Sequence, residues 1–328
     1  MLILNSQCVR KALSMSSAIE AMKSAFVAVA AGDVLMPNRT HLDIAAHQGV
    51  TLVMPSYVCG DNEALAVKVV SVFPGNADKE IARIQAVVNV FDPSTGQPIA
   101  MIEGSALTAI RTAAVSGAAT DFIAGDNTPV LGIVGAGVQA RAHIEAICCV
   151  RKVERIQIFG PTLEKVERLA DEVKQLPGVP NEIAIAASGN QAVEEADIVC
   201  AVSTATDPVF EDTFIKAGAH INAVGSYQPH VREIPTATVL RSRVYVDQRE
   251  AAWEEAGDLI QPLRAGKITQ DHIVADLGEL ATGTNPAKLE GSQVSFFKSV
   301  GLAMQDAFAA NACLKSARDM KLGQTVVW

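Results

Sequence analysis

The chain divides by the rhythm of its hydrophobic positions. In its first third, apolar runs separated by turn residues read as strands over 40–44, 50–54, 64–73, 85–91 and 98–103. Pro74-Gly75 closes the third of these, and Asp92-Pro-Ser-Thr-Gly-Gln97 joins the last two as a turn-rich connection. A capping-box pattern, Ser17-Ala-Ile-Glu20, predicts a helix running to Ala31, with Gly32 as its stop. A second helix, of small residues, is expected over 105–123. Together these elements predict an α+β unit with a mostly antiparallel sheet.

From Pro129 the rhythm changes. Val130 to Val134 is an unbroken apolar run suited to a strand buried on both faces. Gly135-Ala-Gly-Val-Gln-Ala140 follows, and 138–150 reads as a helix. Further short apolar strands are expected at 155–159, 182–186, 198–202, 220–224 and 244–246, with a helix at 163–175. Such alternation predicts a parallel, doubly wound sheet, so the fold class is α/β with a second, α+β unit. Last comes 296–312, expected to form an amphipathic helix.

Composition narrows the partners. The chain has 328 residues, long enough for two domains, and 49% of them are hydrophobic, enough for large cores. A net charge of −9 disfavours nucleic acid or an anionic membrane as a partner. No run of eighteen apolar residues suggests a membrane span. Six cysteines without zinc spacing or a C-x-x-C pair suit a reducing cytoplasm, and Cys148, Cys149 and Cys200, in apolar stretches, are expected in the core. The histidines show no metal spacing.

The chemistry begins at the glycines. Strand, Gly-x-Gly-x-x-Ala turn and helix are the context a dinucleotide-binding fingerprint requires. Gly135 allows the tight turn, Gly137 lets a pyrophosphate approach the backbone, and the helix N-terminus offers free N–H groups to that anion. Three cations stand in apolar surroundings in the first unit. Lys68 interrupts Ala-Leu-Ala-Val-Lys-Val-Val, Arg111 sits in a helix of Ala, Thr, Ile and Val, and Arg39 follows Pro37 at the mouth of a strand. Each alone is readable as a structural or surface charge; together they suit a clamp for a substrate carboxylate.

Lys68 within Ala-Val-Lys-Val-Val, the stretch Leu107-Thr-Ala-Ile-Arg-Thr-Ala-Ala-Val-Ser116, the glycine turn, Ile221-Asn-Ala-Val-Gly225 and Phe297-Lys-Ser-Val-Gly-Leu-Ala-Met-Gln-Asp306 resemble, in this order, the ornithine cyclodeaminase/mu-crystallin family. The resemblance covers nearly the whole chain. It implies a substrate-binding and dimerisation domain from 1–123 with 299–328, a Rossmann domain over 124–298, a homodimer, and an active site in the cleft. It also implies that Arg39, Lys68 and Arg111 hold the substrate carboxylate.

One departure bears on the reaction. Cyclodeaminases of this family carry an aspartate soon after the Asn-Ala-Val-Gly stretch, where it handles the proton of the substrate amine. Here Tyr227 stands there, a phenol whose pKa near ~10 does not let it accept an ammonium proton at neutral pH. What remains is a site that anchors a carboxylate and delivers hydride. It resembles the ketimine reductases, which reduce Δ1-pyrroline-2-carboxylate or Δ1-piperideine-2-carboxylate to proline or pipecolate. Glu255 resembles a family glutamate near the substrate and would favour the protonated imine; it equally suits a solvated acidic helix face. Tyr227 and His230 are weaker candidates for proton transfer.

The cofactor is expected to be a nicotinamide dinucleotide. About twenty residues beyond the glycines an acid would bind the NAD 2′-hydroxyl, but Ile158-Phe-Gly-Pro-Thr162 has none there and Glu164 comes late. NADP(H) is therefore favoured, with Thr162 offering a hydrogen bond, and NAD(H) is also allowed. Candidate cofactor contacts are Gly135, Gly137, Val138, Gln139, Thr162, Ser203, Thr204, Val224, Ser299 and Gly301. An alanine-type amino-acid dehydrogenase, an ornithine cyclodeaminase and a mu-crystallin-like binding protein are the alternatives to a ketimine reductase. Retention of all three clamp cations favours an enzyme.

Overall fold

A computed structural model of the chain describes residues 1–79 and 81–327. In chain order its first elements are β1 (Leu2–Leu4), α1 (Ser6–Ala12), α2 (Met15–Ala31), β2 (Val34–Leu35), β3 (Thr40–Ile44), β4 (Gly49–Val58), β5 (Ala64–Val72), β6 (Ile84–Phe91), β7 (Pro98–Glu103) and α3 (Gly104–Ile123). Then come β8 (Val130–Val134), α4 (Val138–Val150), β9 (Arg155–Phe159), α5 (Leu163–Val173), β10 (Glu182–Ile185), α6 (Gly189–Val193), β11 (Ile198–Ala201) and β12 (His220–Ala223). The last part holds α7 (Thr236–Arg241), β13 (Arg243–Val246), α8 (Arg249–Glu255), α9 (Gly257–Arg264), β14 (Ile273–Asp276), α10 (Leu277–Thr282), β15 (Ser295–Lys298), α11 (Ala303–Asp319) and β16 (Gln324–Thr325).

Two compact units result, 1–112 with 302–328, and 113–301. The division falls at Thr112, inside α3, whereas the sequence placed the boundary at the end of that helix. The first unit is built on a sheet in the order β16-β1-β7-β6-β5-β4-β2, with β3 also paired to β4. It is antiparallel except where β1 runs parallel to β7. Strand β4 continues beyond the expected end at Met54, through Pro55, to Val58. Pro55 faces Val67 of β5 on one side, and on the other it falls between the end of the β3 pairing at Val53 and the start of the β2 pairing at Tyr57. A residue without an N–H is tolerated at such an edge.

Side chains alternate strictly on β5. Ala64, Ala66, Lys68 and Val70 are buried, on the face covered by α11, while Leu65, Val67 and Val69 are half-exposed on the other. Helix α2 is capped three residues before the expected capping box, by Ser14 rather than Ser17: its hydroxyl accepts the Ser17 N–H at 3.2 Å.

The second unit is a parallel sheet in the order β10-β9-β8-β11-β12-β15-β13-β14. Helices α4 and α5 pack Ile144, Ile147, Val166 and Leu169 on one face, and α6 to α9 pack Val193, Val239, Ala252 and Leu259 on the other. The sheet is thus doubly wound. One expected element is overturned. Residues 295–298 are not the start of a helix but a strand between β12 and β13, with Phe296 and Phe297 fully buried. Four residues buried on both faces carry no alternation to separate strand from helix. The helix follows only at Ala303. The cysteine expectation also needs correction: Cys200 is buried, but Cys148 is half-buried and Cys149 exposed, because α4 shows one apolar face to the sheet and turns Cys149 away.

Candidate active site

In the first unit the expected clamp acquires a fourth member. Lys68, on β5, is 2% exposed and its Nζ lies 2.5 Å from Asp306 Oδ2. Arg111, on α3, donates from Nε to Asp306 Oδ1 at 3.0 Å and from Nη1 to Gln305 Oε1 at 2.6 Å. Asp306 and Gln305 lie in the first turn of α11, where the partial positive charge of the helix end favours a carboxylate. Arg39 precedes β3, one residue beyond the Thr40–Val53 pair, and the next residue of β4, Met54, pairs with Lys68. Its guanidinium is close enough to oppose the Lys68 charge.

Two buried cations therefore share one carboxylate, with Arg39 close to the first of them. Burial, then the Arg111 charge and last the Arg39 charge, together lower the Lys68 ammonium to about 7, against the pull of Asp306. An unbalanced buried cation cluster is costly unless an anion completes it. The sequence alone assigns no role to Asp306 or Gln305, because their partner Arg111 lies 195 and 194 residues away.

In the second unit the candidate residues gather at one edge of the sheet, following the carboxyl ends of its strands. Gly135 has φ +124°, and a Cβ there would sit 2.7 Å from the Val202 carbonyl oxygen, so only glycine fits. A Cβ on Gly137 would meet open space. Gly137 caps α4 without any side chain bonding the first N–H groups, and no acid occupies the first turn. Val138 is 63% exposed beside it and Gln139 half-buried, while Ala140 is fully buried, as the close-packed third position requires. The Gly135 N–H bonds the Phe159 carbonyl at 2.8 Å, which brings the turn after β9 alongside. There Thr162 is exposed and stands at the N-cap of α5, with no hydrogen bond from its side chain to the helix.

Other candidates are turned partly inward. The Ser203 N–H and hydroxyl both donate to Glu233 Oε1, at 2.7 and 2.6 Å. Thr204 follows in the same loop, and the Val224 N–H bonds Ala201 at 3.0 Å, extending the ladder past β12. The Ser299 hydroxyl and the Gly301 N–H donate to Asp247 Oδ2, at 3.0 and 2.8 Å. Tyr227, 38% exposed, lies in the loop after β12. That loop rests on Gly257, whose added Cβ would approach Val231 O to 1.9 Å, and Glu255 ends α8 two residues before. The structure thus places Tyr227 and Glu255 in neighbouring segments of one unit.

The chain is similar to known proteins over most of its length. A Δ1-pyrroline-2-carboxylate reductase of Bacillus cereus is 36% identical over 327 residues, 99% of either chain. Ketimine reductase mu-crystallin of Rattus norvegicus is 37% identical over 279 residues, 85% of this chain and 84% of that one. The structure of Thermococcus litoralis Δ1-pyrroline-2-carboxylate reductase, in complex with NADH and L-proline, superposes with a TM-score of 0.95 at 37% identity, covering 99% of this chain and 100% of that one. Residues 1–321 match the model of the ornithine cyclodeaminase/mu-crystallin family, and the chain belongs to that family.

Proposed function

We infer that this chain is an NAD(P)H-dependent reductase of a cyclic ketimine carboxylate, Δ1-pyrroline-2-carboxylate or Δ1-piperideine-2-carboxylate, which it converts to L-proline or L-pipecolate. The observation that carries the reading is the buried pair of cations, Lys68 and Arg111, on the single carboxylate of Asp306, with the half-buried Arg39 near Lys68. The chain's likeness to named reductases of this class, 36% and 37% identical over nearly its full length, supports the same reading.

Asp306 engages Arg111 through Nε and so orients its guanidinium, two of whose five N–H groups take part in the observed bonds. Others are available for a second carboxylate, and Lys68 supplies the opposing charge. Anchoring the carboxylate next to the imine carbon fixes which face of that carbon is attacked, an orientation effect. The dinucleotide, when bound, supplies hydride from the nicotinamide ring. Open space at Gly137 and the uncapped α4 terminus fit its pyrophosphate. Glu255 is the group proposed to favour the protonated imine. Tyr227, at the place of the cyclodeaminase aspartate, leaves ornithine without a proton acceptor.

The second unit lacks an acid in the turn after β9, and Thr162 is exposed there, which supports NADPH as a substrate at least equal to NADH. Oxidation of each is to be followed with both cyclic imines, and with 2-oxo acids plus ammonia and ornithine as contrasts. Reduction of a cyclic imine is expected, with no useful ammonia release from ornithine; the reverse pattern overturns the reading.

A homodimer is part of the same proposal. The face of the first sheet opposite α11 carries rungs Val53–Val69–Val87–Glu103 and Pro55–Val67–Asn89–Met101, with Leu65 and Phe91 beside them, all half-exposed, and Glu103 is turned to the Ser105 and Ala106 N–H groups. A second copy is the occupant that an apolar, nearly uncharged sheet face of this breadth suits. Light scattering showing a monomer at micromolar concentration contradicts it.

A further inference from the structure

At the carboxyl edge of the parallel sheet, Glu233 holds a position that the reading above leaves unused. Its Oε1 takes both hydrogen bonds from Ser203, which follows β11. A Cβ built on Gly225, just past β12, would lie 2.2 Å from Ser203 O and 2.4 Å from Glu233 Oε2. The carboxyl group is thus wedged between the ends of two adjacent strands. The Val209 N–H bonds Glu233 O at 2.9 Å, closing the loop that begins at Ser203. In a doubly wound sheet the ligand crevice lies outside these carboxyl ends.

The charges around Glu233 do not balance. Asp258, from α9, takes the N–H groups of Glu233 and Ile234 on Oδ1, at 2.8 and 3.0 Å, and its Oδ2 lies 3.0 Å from Lys298 Nζ, at the end of β15. Glu233 and Lys298 have no exposure and Asp258 has 1%. Asp247, after β13, is satisfied separately by Ser299 and the N–H groups of Gln248, Val300 and Gly301. One ammonium therefore faces two carboxyl groups, and Glu233 Oε2 has no hydrogen-bond partner among the described residues. A proton on Glu233 makes the cluster neutral.

We propose that Glu233 is a positioning residue for the nicotinamide half of the cofactor, holding the 203–206 loop through Ser203 and exchanging a proton with solvent as the ring changes charge. The proposal rests on the second unit binding a dinucleotide. A neutral dihydronicotinamide at this edge favours the acid form. The positively charged oxidised ring favours the carboxylate, and the proton leaves to bulk water as the oxidised cofactor binds. Burial raises the Glu233 carboxyl to about 7, opposed by Lys298 and Ser203 and reinforced by Asp258, so the exchange falls in the neutral range.

The test is titration calorimetry of the full chain with NAD+, NADH and their phosphorylated forms, at pH 7, in two buffers of different ionisation enthalpy. Wild type is expected to release a fraction of a proton with the oxidised forms and none with the reduced. Its affinity for the oxidised form should rise with pH through neutrality, by up to about tenfold per pH unit. Glu233→Gln keeps an acceptor for Ser203, and should release no proton and lose the pH dependence. Ser203→Ala keeps the carboxyl group but removes a stabilising donor, so the midpoint should move to higher pH. Equal proton release by wild type and Glu233→Gln, or none by a wild type that binds both forms, overturns the proposal alone. If Glu233→Gln does not fold, an unmoved midpoint in Ser203→Ala overturns it. A wild type that binds none of the four dinucleotides overturns the reading of the unit itself and this proposal with it.

Discussion

Each unit holds a cluster of buried ionisable side chains, and the two are unbalanced in opposite senses. Around Asp306 stand Lys68 and Arg111, an excess of cations. Around Lys298 stand Asp258 and Glu233, an excess of acids. A purely structural ion pair gains most when its charges cancel, because any residue of charge keeps its full desolvation cost. A cluster left incomplete is therefore shaped for what arrives. The first suits a carboxylate, and the second suits a ring that turns positive.

Removing one cation from the first cluster should have the largest effect. Arg111→Leu deletes the bidentate donor and frees Asp306 to neutralise Lys68. The cost for a buried charge partner of this kind is about 2–5 kcal/mol, so kcat/KM for the cyclic imine should fall by about 30-fold or more, chiefly through KM. The dissociation constant of NAD(P)H, measured by fluorescence, should hardly change, since that site belongs to the other unit. Near-normal imine kinetics would remove Arg111 from the clamp.

A smaller effect comes from pH. Lys68 titrates at about 7 in the folded chain and higher when unfolded, so the folded state holds fewer protons between these values. Stability should rise with pH over that window, as the cost of the buried ammonium is relieved. Anion binding should run the other way, being strong below about 7 and weakening above it as the positive charge is lost. Pyrrole-2-carboxylate, whose ring nitrogen does not titrate, separates this effect from protonation of the imine. Its inhibition constant should rise as pH climbs through neutrality, and Lys68→Met should flatten the curve. A pH-independent constant in wild type would show that Lys68 keeps one charge state in the site.

The glycine turn was legible in the sequence because all its requirements are local: an apolar run, two glycines at fixed spacing, and a helix whose third position is small. Lys68 and Arg111 were legible for a related reason, as charges in apolar runs stand out without knowing their partners. Asp306 and Glu233 were not. Neither is given a meaning by its neighbours in the chain; that meaning comes from residues that only the fold brings near. The strand at Ser295–Lys298 failed on period, since full burial erases the alternation that would identify it. Ser17-Ala-Ile-Glu20 failed differently: the serine three residues earlier satisfies the same geometry, and the helix takes the longer start.

The late strand has a consequence for how the protein is made. β15 lies between β12 and β13, so the parallel sheet keeps an open slot until residue 298 has been synthesised. The first unit waits longer still, because α11 covers Lys68 from the far end of the chain. Neither half can finish folding on the ribosome while most of the polypeptide is already out. A message truncated near residue 290 would yield no working half. Its product would carry two unpaired strand edges inside a hydrophobic sheet, the kind of surface that seeks pairing with another chain.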